Sequence, residues 1–166
     1  MNTGMLRVLI DGAYDRAFSR VFLDEFSDFG YAGPETVCLP QDTPHVFLVD
    51  TLNSKEPFDL ILLKKGCRGR GVLRPGGLML FDADEPNAVA LLRRHPAPAV
   101  SCGFSEKDTL TISSCCDGNL TLFVQRQIPF GRGVLDVGEA RISSAEMPLI
   151  FPRACGWLIR RLAELG

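Results

Sequence analysis

The chain has 166 residues, 46% of them hydrophobic, and a formal net charge of -2, a length and apolar content that suit one folded domain with a sizeable core and exclude disorder. Basic residues cluster only in short pairs (Arg93-Arg94, Arg160-Arg161), so a nucleic-acid partner is not expected. No apolar run approaches the ~20 residues of a membrane span, and the first residues lack a basic region followed by an apolar core, so neither a membrane nor a signal peptide is expected and the reading is cytoplasmic.

Leu6 to Ile10 is short, apolar and ended by Asp11-Gly12, which predicts a buried strand. Ala17 to Phe29 follows as a helix, because Ala17, Phe18, Val21, Phe22, Phe26 and Phe29 recur at spacings of three and four and Gly30 stops the run. Strands are predicted at Glu35 to Leu39, Val46 to Val49, Phe58 to Leu63 and Leu78 to Phe81, the last entered through a turn at Pro75-Gly76-Gly77. Asn87 to Arg94 is a short helix with Pro86 before it. Strands alternating with helices predict a mostly parallel sheet covered on both faces.

After His95 the pattern changes. Ala99 to Cys102, Thr109 to Ser113 and Leu120 to Gln125 are strand-like, and Asp117-Gly118 between the last two is a hairpin signal. Residues 131 to 150 are glycine-rich and irregular, with an edge strand at Glu139 to Ile142. Arg153 to Leu165 closes the chain as a helix with Leu158, Leu162 and Leu165 on one face, flanked by Trp157 and Ile159. The expectation is a single α/β domain over 1–166: a mostly parallel sheet, helices on both faces, and a small antiparallel extension.

The turn after the first strand carries the main functional question. A phosphate loop holds anionic oxygens with backbone N–H groups and a helix N-terminus, adds a Lys for charge, and uses a Ser/Thr hydroxyl on magnesium. Here Gly12 is the only glycine of the turn, Asp11 and Asp15 add negative charge, Arg16 replaces the Lys and Ala17 lacks a hydroxyl. The plain alternative is a strand-to-helix turn with Asp15 as the helix cap. Asp82, Asp84 and Glu85 sit at a strand end, where α/β proteins place ligands. Three carboxylates suit a hard cation or a shifted pKa, but a solvated acidic turn with Glu85 or Asp84 capping the helix from Asn87 is the favoured reading. Lys64, Lys65, Arg68 and Arg70 form a basic loop that either meets phosphate or is a mobile surface loop.

The six cysteines (Cys38, Cys67, Cys102, Cys115, Cys116 and Cys155) contain no C-x-x-C pair, and His45 and His95 lie far from them. Zinc is therefore not expected, and the thiols read as reduced small apolar residues. His95 closes a helix, where a cation is comfortable.

Taken whole, the chain resembles the central, ATP-binding domain of the Mur ligase family, enzymes that join amino acids to peptidoglycan precursors. "IDGAYDRAF" stands where that family has a strand and a Gly-Thr-Asn-Gly-Lys-Thr loop, with Arg16 at the Lys and Ala17 at the Thr. "VLRPGGLMLFDADEPNAVALL" resembles the family's glycine-led strand ending in Asn-Ala-Asp-Asp, here Asp82-Ala83-Asp84-Glu85. "VSCGFSEKDTLTISSCCDGNLTLFV" is similar to the following strand, Gly-aromatic, Asp and hairpin. "FPRACGWLIRRLAELG" resembles the closing helix without the His-Asn that precedes it. Also missing are the acidic metal ligand followed by paired serines and the Asp-His stretch near the adenine. The resemblance implies an α/β fold that has lost the ligase apparatus and retains a binding or scaffolding role.

Gly12, Arg16, Asp82 and Asp84 are then the candidate cofactor-binding residues, with no catalytic or metal-ligating residue assigned and the cofactor unidentified. A residual nucleotide, a protein partner or a second copy of the chain stay open as ligands. A rival resemblance, to class I methyltransferases, rests on "PFDLILLKKGCRGRGVLRPGGLML". It implies S-adenosylmethionine at the Gly12 turn and Asp42 on its ribose, and a sheet ending in a reversed last strand would favour it. A small enzyme using the carboxylate cluster is the third alternative.

Overall fold

In a computed structural model of the chain, residues 6–26, 30–33, 36–38, 46–49, 56–116, 119–143 and 150–165 are described. Twelve strands and three helices occur among them, in the order β1 (Leu6–Asp11), α1 (Arg16–Asp24), β2 (Gly30–Gly33), β3 (Thr36–Cys38), β4 (Val46–Val49), β5 (Phe58–Leu63), β6 (Leu73–Asp82), α2 (Pro86–Arg94), β7 (Ala99–Gly103), β8 (Leu110–Cys116), β9 (Asn119–Val124), β10 (Ile128–Phe130), β11 (Gly133–Leu135), β12 (Gly138–Ser143) and α3 (Ile150–Leu165). Ten strands form one sheet in the order β12-β9-β8-β7-β6-β5-β1-β4-β3-β2, and β10 pairs with β11 separately.

The centre of the sheet is parallel. β4, β1, β5, β6, β7 and β8 run in one direction. Antiparallel strands finish both edges, β9 and β12 on one side and β3 and β2 on the other. Central parallel strands are buried on both faces and so read as continuous apolar runs. Phe58-Asp59-Leu60-Ile61-Leu62-Leu63 is such a run, and Leu60, Ile61, Leu62 and Leu63 are all fully buried. Leu60 and Leu62 join the cluster that α1 and α3 cover, through Phe18, Phe22, Leu158 and Leu162. Ile61 and Leu63 face the other way, with Leu9 and Ala88, against Leu91 and Leu92 of α2. The α/β architecture with helices on both faces is as the sequence predicts.

Some boundaries differ from expectation. α1 ends at Asp24, not at Phe29, and the chain tightens there into a turn with Phe26 N donating to the Leu23 carbonyl at 2.9 Å. The cause is packing against α3. Arg160 donates to the Glu25 carbonyl at 2.7 Å, while Arg153 reaches Asp24 and Glu25, both at 2.8 Å. A Cβ on Gly156 would stand 2.6 Å from the Glu25 side chain, so a glycine is needed for α3 to approach this closely. Residues 27–29 lie outside the described residues, as do His45, Asp42, Glu35, Leu39 and the Asp117-Gly118 turn. The β8–β9 hairpin itself is present.

Pro75-Gly76-Gly77 lies inside β6. The register steps from Phe58 opposite Leu73 to Leu60 opposite Leu78, so residues 74–77 bulge out of the ladder. Gly76 has φ +81°, and a Cβ on Gly77 would sit 2.6 Å from the Asp59 carbonyl oxygen, so the bulge needs both glycines. β2, β10 and β11 are strands that the sequence pattern did not reveal. Among the described residues, no helix is long and apolar enough to cross a membrane.

Candidate functional site

The C-terminal ends of the parallel strands lie along one edge of the fold. There β1 delivers Asp11 and Gly12, β5 delivers Lys64, and β6 delivers Asp82. In open α/β sheets this edge is where ligands bind.

Asp11 is fully buried although it ends in a charge. Its Oδ2 accepts three successive backbone N–H groups, from Arg68 (3.1 Å), Gly69 (2.7 Å) and Arg70 (3.1 Å). Its Oδ1 accepts from Arg70 Nε at 3.2 Å. Consecutive N–H groups turned to one point make an anion-binding concavity. Left-handed glycines shape it: Gly66, Gly69 and Gly71 have φ of +77°, +76° and +86°. The anion held in this concavity is the chain's own carboxylate. The loop read from sequence as mobile or phosphate-facing is thus pinned: Lys64 N donates to the Asp11 carbonyl and Ala13 N to the Lys65 carbonyl.

Lys64 is the residue that sequence reasoning placed in the wrong setting. Its side chain is buried, its Nζ donates to the Ala13 carbonyl at 2.5 Å, and it lies 5.0 Å from the centre of the Phe18 ring. Its stem crosses Gly12 so closely that a Cβ there would be 2.4 Å from Lys64 Cγ. The glycine of the turn therefore makes room for Lys64. A cation does reach the β1–α1 turn, but from the end of β5.

The N-terminus of α1 is also satisfied from within. Asp15 is the cap, and its Oδ1 accepts from Ala17 N (2.9 Å) and Phe18 N (3.1 Å). These are the donors that a bound phosphate would use. Arg16 is the first helical residue and is exposed.

Asp82 and Asp84 stand two strands from Gly12 and Arg16, across β5, so the structure places the four candidate residues along one edge, on either side of β5. Asp82 Oδ1 accepts from Asp84 N at 2.9 Å. Glu85 caps α2, its Oε1 accepting from Asn87 N at 3.2 Å. Burial pushes the Asp82 carboxyl above the usual range; the Asp84 N–H opposes this, and the charges of Asp84, Glu85 and Asp108 add to it. Among the described residues, no group of His, Cys, Asp and Glu could hold a metal ion. Chelator and Asp84→Asn are both expected to leave the melting temperature unchanged. A fall of several degrees with chelator that is absent in the variant would overturn this.

The three cysteines whose side chains are described are quiet. Cys67, Cys102 and Cys155 are free and buried. Burial, aided by the charges of Asp11 and Glu85, raises the Cys67 thiol to about 11. Burial raises Cys102 and Cys155 as well, so all three stay protonated and unreactive at neutral pH. Beside Asp82, a cleft of about 390 Å³ opens between α2 and the sheet, with Phe81, Val89 and Leu92 as apolar walls and Ser101, Arg93 and Asp108 as polar ones. Two of its polar groups are engaged: Asp108 Oδ2 accepts from Ser105 N, and Ser101 Oγ accepts from Thr109 N.

No protein-family model matches the chain, and no curated protein matches it.

Proposed function

We propose that this chain is a non-catalytic binding or scaffolding domain of the Mur ligase central-domain kind, with its nucleotide position filled from within. One observation carries the reading. Asp11 and Asp15 occupy the backbone donors at the β1–α1 turn and its neighbouring loop, the donors that would otherwise receive phosphate oxygens. Lys64 fills the space over Gly12, and Ala17 offers magnesium no hydroxyl. A phosphate arriving here meets two carboxylates and finds these donors taken.

The protein is therefore expected not to hydrolyse ATP. The check is magnesium-dependent phosphate release measured against a buffer control. Release above that control, abolished by Arg16→Ala, would sink the reading.

The methyltransferase-like alternative has one observation in its favour: β9 is reversed relative to the parallel strands that end at β8, although the outermost β12, antiparallel to β9, runs with them again. Against it stands Lys64, whose stem occupies the room over Gly12 that the methionine end of S-adenosylmethionine would need. A melting screen with nucleotides, S-adenosylmethionine and peptidoglycan precursors separates the two. A ligand at a hundred times its Kd stabilises the fold by about 2.7 kcal/mol. The binding-domain reading expects that shift from a peptidoglycan precursor, and a shift with S-adenosylmethionine selects the alternative.

A further inference from the structure

β12 is the outermost strand on its side of the sheet. It pairs with β9, and no described residue pairs with its other edge. Such an edge presents a row of backbone donors and acceptors that another strand can complete. Residues alternate along it as in any strand. Ile142 is buried against the core, while Glu139 and Arg141 are exposed on the opposite face.

We propose that β12 is a dimerisation seam, at which two copies of this chain pair edge to edge and antiparallel about a two-fold axis through Ala140. Charge complementarity selects both the partner and the register. With Ala140 opposite itself, Glu139 stands directly opposite Arg141 of the second copy, and the symmetry repeats the pair. Opposite charges in directly facing positions stabilise a sheet, and like charges there destabilise it. Sliding the strands so that Glu139 faces itself, or Arg141 faces itself, puts like charges together. Shifts that mix the two faces are excluded because they would turn the buried face of one copy to solvent. Lone charges on an edge normally keep other strands away. This opposite pair, two residues apart, accepts one partner in one register and repels the neighbouring registers.

The flanking positions fit the same register. Gly138 comes opposite Ile142 of the second copy, and a Cβ at Gly138 would meet nothing within 4 Å, so there is room beside it. Val137, just before the strand, is 51% exposed. Beside it Val134 and Trp157 line an open groove of about 330 Å³. The end of a second β12 would lie against this groove, which Asp136, Glu139 and Arg161 also line. The seam is independent of the nucleotide position, so it stands or falls separately from the function proposed above.

Sedimentation and light scattering of the full chain test it. The wild type is expected to run at twice the 18.2 kDa of one chain. Glu139→Lys alone, or Arg141→Glu alone, places like charges opposite each other and is expected to weaken the dimer roughly tenfold or more. Exchanging both charges in one chain should restore it. Mixing the two single variants should give a heterodimer, since one edge is then all positive and the other all negative. Circular dichroism melts verify that each variant is folded. A wild type that stays monomeric, a larger polymer, or a dimer indifferent to both reversals overturns the proposal.

Discussion

Asp11→Ala is expected to lower the unfolding free energy by about 3–5 kcal/mol, the range for removing one partner of a buried charged network. The readout is a fall in the urea midpoint at an unchanged slope. The carboxylate is wholly buried and accepts four N–H donors, three of them backbone groups with no freedom to turn elsewhere. A hydrogen bond to a charged group is worth ~1.5–3 kcal/mol, and bonds to one carboxylate are not additive. The expected loss is nonetheless a large part of a domain stability of ~5–15 kcal/mol. The variant also leaves an anion-binding concavity without its anion. Sulfate or inorganic phosphate should therefore restore part of the midpoint of Asp11→Ala and raise the wild type much less. An unchanged midpoint, or an identical response to anions in the two proteins, would show that Asp11 does not organise this loop.

This linkage shows where sequence reading stops. Asp15 and Glu85 were legible as caps because each acts on donors two or three residues away, a spacing visible in the sequence. Asp11 acts on donors 57 to 59 residues away. Only the parallel pairing of β1 with β5 brings them together. The available signal was an Asp ending a buried strand, together with a loop carrying glycines at 66, 69 and 71. Lys64 was read as part of a surface loop because charged side chains are rarely buried. Its stem packs over Gly12 while its ammonium group reaches the Ala13 carbonyl, a division of one side chain that the sequence does not display.

The strands show the same division. β5 was legible to the residue, because a short apolar run between polar boundaries is what a strand buried on both faces requires. β2 was missed because its glycines looked like punctuation after α1, and β10 because Pro129 argues against a strand. Pro129 is tolerated in a two-stranded ribbon, where one side of each strand has no ladder partner. The end of α1 was misplaced because Phe26 continues the apolar spacing. Phe26 is indeed buried, but in the turn that follows the helix, with its ring 5.2 Å from Phe22.

The closing helix supports the second large effect. α3 carries Leu158, Ile159 and Leu162, each fully buried, while Leu165 and Trp157 are partly buried at its margin. The stripe joins the sheet's Leu60, Leu80 and Leu122 and the Phe22 of α1 in one cluster. Truncating a buried Leu to Ala removes the transfer free energy of its methyl groups and leaves a cavity, together ~2–5 kcal/mol. Leu162 is fully buried in a cluster to which the sheet, α1 and its own helix all contribute, so the site has little freedom to collapse. Leu162→Ala is therefore expected at the upper part of that range, with a clear loss in urea midpoint. Leu165→Ala, at the half-exposed end of the same stripe, should cost distinctly less. If the stripe were instead a docking face for a partner, Leu162→Ala would leave the midpoint unchanged and would reduce self-association of the free protein. Urea melts of the wild type and both variants, with light scattering alongside, separate these outcomes, and a midpoint for Leu162→Ala equal to that of the wild type would remove α3 from the folding core.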